Sequence, residues 1–573
     1  MSLGRRHRER AADHAPAAGA PPGEEPRKGE TAIWRRGAVR ARRRRYTAAL
    51  SIAALLAIAV AFEIVYGQAP LYTGDQHTDL LHGLAHAGVG LLELDWQAQT
   101  IDPAPISSLL VSAAAALEAE WLMLLFHALL IGAYGLALFG IGATLFRVER
   151  TTHRLVLLAT LLFVHSWLAF EVQGGLPDDI RSLVTEGLAG QYAPGLTFQP
   201  SLFGVLLIVS LFLYVRNLPV AAVATAGAAA IFDPAYLLGA GVLCGAYLAD
   251  TFFRTGARAI VARGPAVAAV TLLPVALFAL IAFTPSSPAI HEAAQNVLVD
   301  FRLPHHAKPE VWFAPDDAFR LGLVAVGLAL SWRSVLFPVL ALGVAASALL
   351  TALQLVTGSE TLALLFPWRL SVFLVPVSAA ILLAAATKLL FAGAGALERA
   401  ASRLSVARAA RLATGARTGA RALAGLVIAV SVLVGGERIG RLDPEPKASP
   451  IGRMVAAQRL PGELYLIPPR AYELRIDAAI PVYVDYKTHP YEDGQVLEWR
   501  RRLGEATRVY AGGSLRCDRL EPLARSAGIT HVIVKAPTRG RCDFLRKSYA
   551  VDGYSVFAVE PRAARGPEPR GAR

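Results

Sequence analysis

Charge is scarce in this sequence. Only 18% of its 573 residues are charged, 54% are hydrophobic, and the mean hydropathy is +0.44. A soluble protein carries about a quarter charged residues, so the composition argues against a soluble globule and asks for a bilayer as second solvent. Cysteine is nearly absent, with three in the chain. No CxxC pair exists, which sets aside zinc and thiol-redox sites. Cys244 lies in an apolar run and reads as a small core residue. Cys517 and Cys542 lie in the polar C-terminal region; in an oxidising compartment they form a candidate disulfide. In the C-terminal region from 440 a glycine-rich phosphate loop and a nucleophile elbow are both missing. The chain also lacks the interleaved aromatic and basic stretches of single-strand binders. The net charge of +13 is therefore not read as nucleic-acid binding.

What is present is a succession of apolar runs flanked by arginine. A spanning helix needs roughly 20 mostly apolar residues. Candidate spans are 46–66, 119–146, 154–171, 200–215, 219–234, 236–253, 265–283, 318–331, 334–356, 362–391 and 422–436. Residues 106–117 are too few to cross and read as an interfacial helix. Residues 1–45 are no signal peptide: the apolar run after them is too long and lacks a cleavage pattern. They are expected to be a disordered, basic cytoplasmic tail. Arginine clusters at Arg42–Arg45, Arg147–Arg154, Arg216, Arg254–Arg263, Arg333 and Arg399–Arg421 all fall on one side in a single register. That register puts the N-terminus in the cytoplasm. It puts loops 67–105, 172–199 and 284–317, and everything after 437, outside.

The expected fold is mostly α, a polytopic bundle of about eleven spans with a small C-terminal α/β domain on the outer side. The membrane part covers 46–392. A basic amphipathic segment, 393–421, is expected to meet anionic lipid headgroups before the last span at 422–436, with a solvated linker as the plainer reading. Residues 440–560 change character. Glu463–Ile467, Ile480–Asp485, His531–Lys535 and Tyr554–Val559 read as strands, and Val496–Leu503 and Leu520–Ser526 as helices. Residues 561–573 form a tail.

Polar groups gather in the first outer loop: Asp75, Gln76, His77 and Asp79, then His82, His86, Glu93, Asp95 and Asp102. Such density beside an apolar core is costly unless solvated or used. Asp75 and Asp79 are four apart and share a helix face, as do His82 and His86. A carboxylate here reads as a general base or metal ligand; a wet loop with helix-capping acids is the plain alternative. A histidine zinc site lacks a third ligand at fixed spacing. Further candidates are Asp178, Asp179, Asp233, the run from Asp300 through Arg302 to His305 and His306, and Phe366-Pro-Trp-Arg369. An arginine at the outer end of a span snorkels to the interface or binds a phosphate in bidentate fashion.

An acidic first outer loop, interfacial helices in it, about eleven spans and a C-terminal outer domain together resemble the GT-C superfamily of integral membrane glycosyltransferases. More narrowly, the runs Arg302-Leu-Pro-His-His306, Pro367-Trp-Arg369, Val484-Asp-Tyr-Lys-Thr-His-Pro490 and Glu498-Trp-Arg500 resemble an uncharacterised bacterial inner-membrane family. The resemblance implies transfer of a sugar from a polyprenyl-phosphate donor to a glycan or other envelope acceptor on the outer face of the bacterial inner membrane. It implies Asp75 as the catalytic carboxylate, with Asp79 as companion. Arg369, His305, His306, Arg302 and His77 would then meet the lipid phosphate. Superfamily members often use a divalent metal (Mg or Mn), which Asp75 and Asp79 would hold. Their paired acids are adjacent, however, and these are not. A lipid or polysaccharide transporter or flippase is the main rival, although no internal repeat points to one. A non-catalytic scaffold of the same fold is the third reading.

Overall fold

A computed structural model describes residues 52–172, 180–256, 258–402, 406–440, 448–537 and 542–560. The expected tails 1–45 and 561–573, and the candidates Asp178 and Asp179, lie outside these residues. The described residues from Ala57 to Glu560 belong to one compact unit.

Among the described residues six helices are long and apolar enough to cross a membrane: Trp121–Leu145, Pro234–Arg254, Arg263–Ala282, Phe337–Thr357, Glu360–Ala396 and Ala413–Gly440. Five shorter apolar helices accompany them, among them the expected interfacial one, Pro105–Ala116. The protein is thus a multi-pass membrane protein, mostly α. Leucine, isoleucine and valine face outward along these helices, with Ile281 75% and Val356 85% exposed, as suits a lipid-facing surface. Small residues let helices approach: a Cβ on Gly135 would lie 2.1 Å from the Phe62 ring, so only glycine fits that crossing.

Boundaries differ from the apolar runs where polar residues intervene. The run 154–171 breaks after Val164, where His165 donates to the Leu161 carbonyl oxygen at 2.7 Å and bonds the Tyr134 hydroxyl at 2.9 Å. The basic stretch 393–421 is not set off as a separate element. It lies on the ends of two long helices, Ser371–Ser402 and Val406–Gly440, with 403–405 outside the described residues.

Among its described residues the C-terminal domain carries four strands: β1 (Tyr465–Leu466), β2 (His531–Lys535), β3 (Leu545–Val551) and β4 (Tyr554–Val559). Their order is β1-β2-β4-β3, with β1 and β2 parallel and the other pairs antiparallel. Strand alternation feeds two cores. Val532 and Val534 join Trp499, Leu503 and Leu520 on one face; Ile533 joins Ile467, Leu474 and Val556 on the other. Ile480–Asp485, expected as a strand, makes only the single bridge of Val482 to Tyr465, because its backbone turns away to form a loop. The expected helices run longer, as Asp493–Val509 and Cys517–Ala527, the second stopped by Gly528 at φ +70°. Cys517 and Cys542 are disulfide-bonded, with Cα atoms 5.4 Å apart.

This domain rests on the loops that hold the polar candidates. Leu91 N–H donates to the Ala479 carbonyl oxygen at 2.9 Å, Ser286 N–H to Asp493 at 2.8 Å, and Trp96 and Phe301 pack against its core. Segments 67–105 and 284–317 and the C-terminal domain therefore gather at one end of the helix bundle.

Candidate active site

The site is built by three segments that converge under the C-terminal domain. In the first, Gly74 at φ +60° turns the chain into the short helix Gln76–Asp79, with Asp75 at its N-cap. Buried Gln76 pins this turn: its Oε1 accepts from Tyr72 N–H at 2.6 Å and its Nε2 donates to the Phe198 carbonyl oxygen at 2.8 Å. In the second, residues 297–302 form a π-helical turn ending at Arg302, followed by His305 and His306 on Pro304–Ala307. Such turns often mark functional sites. In the third, Phe366 adopts left-handed backbone (φ 47°) before Pro367, an unfavourable conformation for a bulky residue. The turn sets Arg369 immediately before the buried helix Ser371–Ser402.

These segments and the loop 485–491 enclose a cavity of about 580 Å³. Asp75, Asp79, Arg302, His305, His306 and Arg369 all line it, beside Tyr192, Gln199, Tyr472, Tyr486, Lys487, His489 and Tyr491. A second cavity, of about 380 Å³, shares Asp75, Tyr192 and Gln199 and is otherwise lined by Tyr66, Trp167, Arg181 and Glu186 among others. Asp75 thus stands in the wall common to both.

Both Asp75 oxygens are engaged. The Tyr192 hydroxyl donates to one, and Lys487 Nζ lies 2.8 Å from the other. Burial pushes the Asp75 carboxyl up, but the Lys487 and Tyr192 bonds, with the Lys487 and Arg302 charges, outweigh it and hold it below its ordinary value. Asp79 is driven the other way, to about 8, by burial and by the charges of Asp75 and Asp233. At neutral pH the two acids are therefore one carboxylate and one neutral carboxyl, an arrangement that separates an acceptor of protons from a donor of hydrogen bonds.

The cavity's fixed positive charge comes from Arg302, Arg369 and Lys487. Both arginines line the cavity, and Arg302 Nε and Arg369 Nε are buried without a hydrogen-bond partner, which is costly for a charged group. The histidines are neutral. Burial pushes His306 down to about 4 and His489 down to about 3, and burial with the Arg302 charge lowers His305. His306 Nδ1–H donates to the Ala189 carbonyl oxygen at 2.7 Å, so its Nε2 is an acceptor, better matched to a sugar hydroxyl than to a phosphate.

Other candidates are placed elsewhere. His77 packs edge-on against Tyr472 at 5.7 Å and does not line the cavity. Asp95 is fully buried, accepting from Arg475 Nε at 3.0 Å, Val482 N–H at 2.8 Å and Gln97 N–H at 2.8 Å; it ties loop to domain. Asp233 is buried and caps the turn Pro234–Tyr236 through Ala235 N–H at 3.0 Å, outside both cavity walls. His82 is buried while His86 is exposed, so that pair does not act as one. Among the described residues no three His, Cys, Asp or Glu side chains converge as a metal site. With the Lys487 ammonium on one Asp75 oxygen and the Tyr192 hydroxyl on the other, this arrangement does not suit a divalent cation.

Sequence reasoning passed over Lys487, Tyr192 and His489. The first and last lie in Val484–Pro490, a run visible as a motif without a role. The structure supplies that role. Asp485 accepts from Thr488 N–H at 2.7 Å and pairs with Arg475, and Trp499 Nε1 donates to the Asp485 carbonyl oxygen at 2.9 Å. The loop is locked, and Lys487 projects from it onto Asp75.

Residues 450–506 match the model of a domain of unknown function, DUF6798. No curated protein matches the chain. Two of the solved structures similar to the chain are of one protein. One is ArnT from Cupriavidus metallidurans bound to undecaprenyl phosphate: 14% identity, TM-score 0.42, covering 91% of this chain and 99% of that one. The other is ArnT from Cupriavidus metallidurans in the apo state: 12% identity, TM-score 0.40, covering 89% and 97%.

Proposed function

We propose that the protein is a membrane glycosyltransferase that moves a sugar from a polyprenyl-phosphate donor to an acceptor hydroxyl on the extracytoplasmic face. One observation carries this reading: Asp75, held as a carboxylate, shares a cavity at the end of the helix bundle with two arginines whose Nε atoms lack partners. The donor phosphate lies against Arg302 and Arg369, and the sugar against the neutral imidazoles. The acceptor reaches Asp75 from the smaller cavity. Asp75 takes the acceptor's proton, the acceptor oxygen bonds the anomeric carbon, and the bond from that carbon to the phosphate oxygen breaks with its electron pair on the phosphate. The arginines meet the charge that develops there. A single displacement of this kind inverts the anomeric configuration. No step passes through a metal, so chelation leaves the rate unchanged.

The arginine register supports a cytoplasmic N-terminus and an extracytoplasmic C-terminal domain in a bacterial inner membrane, with the arginines of 393–421 on anionic headgroups. The test is an assay in proteoliposomes with synthetic polyprenyl-phosphate sugars. Acceptor-dependent release of polyprenyl phosphate supports transfer. Intact donor that merely crosses the bilayer supports a flippase instead.

A further inference from the structure

Lys487 is the one cavity cation already committed to a partner in a bond that the proposed reaction would weaken. Its ammonium lies 2.8 Å from Asp75 Oδ1 and 2.8 Å from the Gly74 carbonyl oxygen, and 4.7 Å from the centre of the Tyr472 ring. It lines the same cavity as Arg302 and Arg369. We propose that Lys487 is a positioning residue that changes partner during transfer: it holds Asp75 as a carboxylate before the reaction and passes to the lipid phosphate as the sugar leaves. This deepens the glycosyltransferase reading and rests on it.

The charges dictate the exchange. A polyprenyl-phosphate sugar is a phosphodiester with one negative charge. When its sugar departs, the phosphate becomes a monoester and gains a second charge. In the same step Asp75 takes the acceptor's proton and loses its own charge. Negative charge therefore leaves one neighbour of Lys487 and appears on the other. A cation between them is drawn the same way, which stabilises the late charge distribution more than the early one. A carboxylate held by an ammonium is also a weak base, so loosening this contact raises basicity when a proton must be accepted.

The surroundings permit a side-chain movement without a loop movement. The Lys487 carbonyl oxygen accepts from Arg302 Nη2 at 2.8 Å, and the Asp485–Thr488 turn and the Trp499 bond hold the backbone. The flexible four-carbon stem of lysine then supplies the travel.

The test is binding of a polyprenyl phosphate to the full-length protein in detergent, in wild type, Asp75→Asn, Lys487→Met, the double variant and Lys487→Arg. If Lys487 reaches the phosphate, adding Lys487→Met to Asp75→Asn weakens binding about tenfold or more, the scale of one charged hydrogen bond. Lys487→Arg keeps the cation and stays within about threefold. In transfer, Lys487→Met moves the acid limb of kcat/KM to higher pH, because the Asp75 carboxyl is no longer held down. Unchanged affinity on adding Lys487→Met to Asp75→Asn, or an unmoved acid limb, overturns the proposal while the glycosyltransferase reading stands. Wild-type protein that binds no polyprenyl phosphate overturns both.

Discussion

Asp95 accepts a bond from the Arg475 guanidinium at 3.0 Å, and neither side chain reaches solvent. The pair joins the segment that carries Asp75 to the domain that carries Lys487, and Arg475 also pairs with buried Asp485 at the root of the Lys487 loop. Removing Asp95 leaves Arg475 paired with Asp485 but takes the acceptor from the buried Arg475 Nε and Val482 N–H, at about 1–3 kcal/mol for each donor left unsatisfied. Asp95→Ala should therefore lower the unfolding temperature in detergent and speed proteolysis of the C-terminal domain. Unchanged stability would show that Asp95 is no strut.

Asp79 should give the proposed transfer an alkaline limit. Its carboxyl is pushed up to about 8, above its ordinary value, so the neutral form prevails below that pH and is lost above it. Above about pH 8 a second negative charge would stand beside Asp75 and the donor phosphate, and transfer should fall. At the acid end transfer falls only below the ordinary carboxylate range, where Asp75 gains a proton. Asp79→Asn imitates the neutral carboxyl and should remove the alkaline limb of the pH–rate profile; a limb that persists would assign it to another group.

Arg369 tests the phosphate contact. Lysine keeps the charge but not the planar fork. Arg369→Lys should weaken polyprenyl phosphate binding about tenfold, measured by titration in detergent. Equal affinity would show that Arg369 supplies charge alone.

The disulfide closes a loop of 25 residues between Cys517 and Cys542. Loop closure of that length stabilises a domain by about 3 kcal/mol. Reduction should lower the unfolding temperature of wild type and leave Cys517→Ser/Cys542→Ser unaffected. An unmoved transition in wild type would contradict the pairing.

Most of the helices were legible because apolar runs in a membrane protein have few other uses. The site was legible in part. Asp75, Arg302, His305 and Arg369 stand in short polar runs beside spans, where burial is costly enough to mark them. Lys487 was not marked, because its importance comes from a contact with Asp75, far away in the chain, that no spacing encodes. Strand β3 was missed because Leu545–Val551 is an exposed edge rich in polar residues, although Asp552-Gly553, both at positive φ, is a tight hairpin signal that names its position. Asp95 looked like a site acid because the sequence does not show that Arg475 would bury it.

The central claim is that Asp75 is the base. Asp75→Asn preserves shape and removes the proton acceptor, so the decisive measurement is its rate of sugar transfer in proteoliposomes alongside its affinity for a polyprenyl phosphate. Transfer reduced at least about a hundredfold, in protein that inserts normally and still binds the lipid phosphate, is the predicted result; transfer at the wild-type rate would contradict it.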